Sequence, residues 1–215
     1  MSHTRIAFIS AALLTARIAS ATPPARPDYK ALVQTRHLAD KEQALSKAFP
    51  MSETGTACVH TLTLLPFAAP ETFPNESAAL ASELGMLHAH PADALASIAA
   101  GVQALPDRYA RERQFIIQIA ARLNTDPAKR IAFLVAELTR PYRPSADPHD
   151  QQAFFNGVIA LDSLLELTKE PKVIQAALRQ AFKANPSPQW RGLLLSRYEV
   201  ADPKGAKELR AEAGL

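Results

Sequence analysis

The chain has 215 residues, enough for one domain with a sizeable core, and 47% of them are apolar. A single cysteine excludes an internal disulfide and a cysteine-rich zinc module, and seven glycines are too sparse to build backbone cradles for phosphate. The formal charge is +3, and its bearing on function depends on where the basic residues lie.

Met1 to Arg5 ends in a positive charge, and Ile6 to Ala16 is an uncharged apolar run of eleven residues. Ala19-Ser20-Ala21 then sets small residues at a cleavage position before Thr22-Pro23-Pro24. This order predicts a secretory signal peptide at 1–21, cleaved after Ala21, and hence export to a periplasm or the cell exterior. Arg17 departs from the pattern, and the alternative is a cytoplasmic protein that keeps an amphipathic first helix. Eleven apolar residues are too few to cross a bilayer, so no transmembrane anchor is expected. Cleavage removes Arg5 and Arg17 but no acid, lowering the formal charge from +3 to +1. Global basicity is then no argument for nucleic acid, and none is expected as a partner.

Residues 22–50 read as a linker: Thr22 to Pro27 is a proline-rich spacer, and a surface helix is expected over Lys41 to Phe49. Residues 51–215 read as the helical domain. Ala57 to Phe67 alternates well enough for a strand, but the helical pattern farther on favours a buried helix ending at Pro66. Asn75 is expected to cap the next helix, whose stripe of Leu80, Leu84 and Leu87 runs to His88. Asn75-Glu76-Ser77 also matches a glycosylation triplet, a pattern common by chance.

From Pro91 a weak repeat sets in. Segments opening at Pro91, Pro127 and Pro171 carry apolar residues at plus seven (Ile98, Leu134, Leu178) and plus eleven (Val102, Leu138, Phe182). Pro106, Pro141 and Pro186 close them. A second helix is predicted after each, over 108–123, 147–169 and 187–200. The second of these is the best specified: Asp147 and Pro148 open it, Phe154, Val158, Leu161, Leu165 and Thr168 form its stripe, and Phe155, Ile159 and Leu164 widen that stripe. In the first, Phe115, Ile116, Ile119 and Leu123 are expected to share the packed face. Asp126-Pro127 and Asp202-Pro203 repeat the Asp-Pro opening, and Lys204 to Leu215 reads as a polar terminal cap.

The expected fold is therefore all-α, with antiparallel helical hairpins. The openings lie 36 and 44 residues apart, a spacing that resembles a degenerate HEAT-like α-solenoid. An irregular helical bundle punctuated by proline predicts the same spacing.

Chemistry-bearing residues are few. Cys58, His60, His88 and His90 have the types that ligate zinc or copper, but histidines two apart on a helix diverge and no acid completes a set. Among apolar neighbours, Cys58 reads as a small buried hydrophobe. There is no Gly-x-Ser-x-Gly elbow and no HExxH, so no enzyme class and no cofactor is implied. Asp162 and Glu166, one helical turn apart, read as a solvated flank, with Glu137 the other acid of note.

The sharpest functional signal is local charge. Eight basic residues (Arg108, Arg111, Arg113, Arg122, Lys129, Arg130, Arg140, Arg143) face three acids (Glu112, Asp126, Glu137) between 108 and 143, an excess of five. Gln118 lies on the margin of the packed face, and Tyr109 and Tyr142 at the segment's edges add contact area. The expected function is a non-enzymatic exported scaffold that binds an acidic protein partner through this face, with an anionic lipid or cell-wall surface as other possible contacts. A metal-binding or small-molecule-binding protein using Cys58, His60, His88 and His90 is the competing expectation.

Overall fold

A computed structural model describes residues 28–141 and 148–215, the side chains of 148–154 apart. The expected signal peptide and spacer, Tyr142, Arg143 and the expected Asp147 cap lie outside the described residues. Within them the protein is all-helical, with no strand. The helices are α1 (Tyr29–Thr35), α2 (Ala39–Ser46), α3 (Glu53–Leu64), α4 (Pro74–Ala89), α5 (Pro91–Ala104), α6 (Ala110–Arg122), α7 (Pro127–Leu138), α8 (Pro148–Leu167), α9 (Pro171–Ala184), α10 (Pro188–Glu199) and α11 (Pro203–Glu212). Short 3-10 turns at Leu65–Phe67 and Asp107–Tyr109 follow α3 and precede α6. None of the described helices is long and apolar enough to cross a membrane.

Proline dictates these boundaries. Helix α4, helix α5 and each helix from α7 to α11 open on one. At the first helical position its missing N–H costs nothing and its fixed φ is already helical. The residue before it is driven to extended backbone, as at Asp126 (ψ 117) and Glu170 (ψ 105). Side-chain caps complete several starts: Asp126 accepts from the Ala128 amide at 2.9 Å, and Asp202 from the Gly205 amide at 2.9 Å. At α4 the expectation fails. The helix begins at Pro74, two residues earlier than a cap at Asn75 implies, so Asn75 lies inside the first turn and Phe73 occupies the cap position without a side-chain bond.

The apolar pattern is realised in the packing. Ile98, Val102, Leu134, Leu138 and Leu178 are wholly buried and Phe182 nearly so. Helix α8 packs against α6, α7 and α10, while α3 is covered by α2, α4 and α5. One continuous core runs from Leu45 to Leu209. On α8 the buried stripe is Val158, Leu161 and Leu164, with Leu165 partly buried, whereas Phe155 is 43% exposed and Thr168 follows the helix end. Gly157 lets α10 approach: a Cβ there would stand 2.9 Å from Cζ2 of Trp190. Residues 29–46 form two helices that dock, with Val33, Leu45 and the following Phe49 buried.

The C-terminal helix is latched by polar contacts as well as by Ala206 and Leu209. The Tyr198 hydroxyl donates to Asp202 Oδ2 at 2.6 Å, and Arg179 donates two hydrogen bonds to the Glu212 carboxylate, from Nε and Nη2, at 2.8 Å each. Burial, followed by the Asp202 contact, pushes the Tyr198 phenol up to about 12. The folded form thus keeps a proton that the unfolded chain releases above its ordinary value of 10.0. The associated stability is complete below pH 10.0 and is lost as pH rises toward about 12. We expect stability to fall across that window in alkaline denaturation titrations and Tyr198→Phe to shrink the fall. An unchanged slope in the variant would contradict the assignment.

Candidate functional site

The basic segment divides into exposed and engaged halves. Helix α6 turns Ala110, Arg113, Ile116, Ile117 and Ala120 inward, a stripe at spacings of three, three, one and three residues. Phe115, expected on that face, is only partly buried at its margin. Arg111, Gln118 and Arg122 recur seven and four residues apart, which aligns them along another face, over roughly 16 Å of helix axis between the two arginines. Arg108, Arg111, Arg122 and Lys129 are exposed, Gln118 is half-buried, and Arg108 stacks over Tyr109 at 5.1 Å. Arg111, Arg122 and Lys129 have no acidic partner among the described residues. The acids nearby are already engaged: Glu112 pairs with Lys41 at 2.7 Å, and Asp126 caps α7.

Arg113, Arg130 and Arg140 serve the fold. Arg113, counted from sequence with the basic surface, is fully buried. It donates to the Leu105 carbonyl and, at 3.1 Å, to Asp107 Oδ1. Arg130 is half-buried and donates to the Ala121 carbonyl at 2.9 Å, near the end of α6. Arg140, also half-buried, donates to the Val102 carbonyl at 3.3 Å and stands 3.8 Å from Glu137 Oε2. The reason is shared: helix ends leave carbonyls unpaired, and a guanidinium has donors long-reaching enough to find them.

These captures recur at the proline turns. Leu105, Arg140 and Asn185 each precede a closing proline, and each carbonyl accepts a side-chain bond: from Arg113, from Asn185 Nδ2 at 3.0 Å, and from Arg191 Nε at 3.0 Å. The carbonyl three residues earlier is also taken in the first and third segments, Val102 by Arg140 and Phe182 by Arg191.

Between the C-terminal ends of α5 and α7 lies a cleft of about 670 Å³ lined by Gln103, Asp107, Ala136, Glu137, Thr139, Arg140 and Pro141. Glu137 is only 4% exposed, and its Oε2 accepts no hydrogen bond among the described residues. Burial raises its carboxyl above the ordinary carboxylate range, opposed by the charges of Arg140 and Arg113. Burial likewise pulls Arg113 below its usual range, with Arg140 adding to the effect and Asp107 and Glu137 opposing it. The helical phase contained this signal. Arg113 precedes Ile116, Ile117 and Ala120 at core spacing, and Glu137 follows Phe133 and Leu134.

The four residues of metal-binding type are not gathered. Among the described residues no three histidine, cysteine or acidic side chains form a group able to hold a metal ion. Cys58 is wholly buried in the core, and burial pushes its thiol up to about 12, a poor nucleophile and a poor ligand. His60 stacks on Tyr29 with ring centres 3.6 Å apart, between Glu83 at 3.4 Å and Glu42 at 3.8 Å. His88 is half-buried in the last turn of α4, and His90 is exposed at the junction with α5. Asp162 does not pair with Glu166 as an acid dyad but bonds Arg197 of α10 at 3.0 Å.

Compared with protein-family models, curated proteins and solved structures, the chain has no match.

Proposed function

We propose that this protein is an exported, non-enzymatic helical scaffold that binds an acidic polypeptide through the α6–α7 face. The observation that carries the reading is the set of Arg111, Arg122 and Lys129, exposed and without an acidic partner among the described residues. Cations held apart from acids on a docked helical surface attract an acidic segment over about a Debye length and release it as salt rises. Two features support a HEAT-like stacking of the hairpins behind that face. The second helices α6, α8 and α10 lie side by side, and the carbonyl captures recur in step with the prolines. The leader-like order of residues 1–21 supports export.

A fluorescent poly-glutamate peptide titrated into the full chain tests the surface. Binding should weaken with added salt, and Arg111→Glu/Arg122→Glu/Lys129→Glu should weaken it about tenfold or more. The three side chains are exposed, so circular dichroism of the variant should be unchanged. Binding that ignores both salt and charge reversal overturns the reading. Export has its own check: the mature protein should begin at Thr22 by mass spectrometry, and an intact Met1 or Ser2 start would contradict it.

A further inference from the structure

We propose that helix α1 is an exchangeable arm: at high protein concentration it leaves its own chain and packs into the same groove of a second copy, giving a symmetric domain-swapped dimer. The floor of the groove is Leu64, Ala79 and Leu80, a buried apolar cluster separate from the continuous core, with Tyr29, Leu32 and Leu38 packed on it. The fold itself thus shows which segment fits there. Its contacts are specific rather than extensive. Arg36 donates to the buried Glu76 at 2.6 Å and lies over Phe67 and Phe73, 5.4 and 5.2 Å from their ring centres. Tyr29 stacks on His60, and Val33 is the one buried residue of the helix. A second copy offers the same partners, so exchange conserves each contact. A bare groove would leave apolar surface in water until an α1 refilled it.

The hinge supplies the difference between the closed and exchanged forms. Arg36-His37-Leu38 joins α1 to α2, and the Leu38 amide donates to the Val33 carbonyl at 2.9 Å, closing a turn that usually has glycine at its centre. Here the centre is His37, with φ at 54°, the one residue other than glycine with a positive φ among the described residues. A side chain in that left-handed region is strained. From Tyr29 to Ser46 the sequence contains neither glycine nor proline, so nothing in it breaks a helix. Opened, the hinge lets α1 and α2 run on as one helix about 27 Å long, in which His37 returns to ordinary backbone. Helix α2 stays with its own chain because it is better anchored: Leu45 is wholly buried, and Lys41 pairs with Glu112 at 2.7 Å. Exchange uses none of Arg111, Arg122 and Lys129, so the dimer carries the α6–α7 face twice.

Light scattering of the full chain on a sizing column, loaded at micromolar and at millimolar concentration, tests the arm. A dimer should appear at the higher concentration. His37→Gly relaxes the closed hinge and disfavours the continuous helix, by about tenfold per hinge and hence about a hundredfold in the dimer Kd. His37→Ala keeps the strain and favours the helix, so it should tighten the dimer. His37 is exposed, and neither variant disturbs the core. In a dimer refolded from equal parts of isotope-labelled and unlabelled chain, isotope-filtered NMR should detect the Tyr29–His60 ring contact between the two kinds of chain. The proposal is overturned if the parent stays monomeric at millimolar concentration, if either His37 variant dimerises as the parent does, or if the Tyr29–His60 contact is found within single chains only.

Discussion

Replacing Arg113 with methionine is expected to cost about 3–5 kcal/mol of folding stability, read from urea denaturation. Methionine fills much of the volume, so the loss is electrostatic rather than a cavity. The Leu105 carbonyl loses its donor, Asp107 loses its cation, and Glu137 keeps only Arg140 at 3.8 Å. Asp107, its side chain 59% exposed, can return to water, so the cost falls on the buried Glu137 carboxylate and on the Leu105 carbonyl, whereas removing opposite charges together is often close to neutral. Arg113→Met/Glu137→Leu should therefore recover part of what Arg113→Met alone loses. Arg111→Met, two residues away but exposed, should stay within about 0.5 kcal/mol of the parent. Equal stabilities for Arg111→Met and Arg113→Met would show that the buried cluster contributes nothing.

Truncating Trp190 to alanine should cost about 3–5 kcal/mol, this time through an empty volume in the core. Its side chain is 1% exposed and fills the space that Gly157 leaves between α8 and α10. Helix α8 also packs on α6 and α7, so the cavity would sit where the second helices meet. Gly157→Ala probes the same contact from the other side, since its methyl would stand 2.9 Å from the indole, and should cost about 1–3 kcal/mol by overpacking. Trp190→Phe should lose much less than Trp190→Ala. Because Trp190 is the chain's single tryptophan, unfolding is followed by circular dichroism. A midpoint unchanged in Trp190→Ala would place this residue outside the core.

The helices were legible because their signals are local. Proline at the first position, aspartate before it and leucine at helical spacing act within one or two turns, and α5, α7 and α9 formed where those signals lie. Legibility fell away where distant parts of the chain supply the partner. Arg113 counts as surface charge until Leu105 and Asp107 are known to meet it, and Arg140 does so until Val102 does. Glu76 is buried beneath Arg36, 40 residues away in sequence, at 2.6 Å, and no sequence pattern announces that pair. The basic face was accordingly overcounted from composition. What remains is smaller and better defined: Arg111, Arg122 and Lys129, with Arg108 at one end.

Amide hydrogen exchange of the full chain, with and without a saturating glutamate-rich peptide, tests the α6–α7 surface most directly. Protection is predicted to concentrate between residues 108 and 130 and to vanish in the charge-reversed variant. Protection confined to other helices, or none at all under saturating peptide, would contradict the assignment of this face as the binding surface.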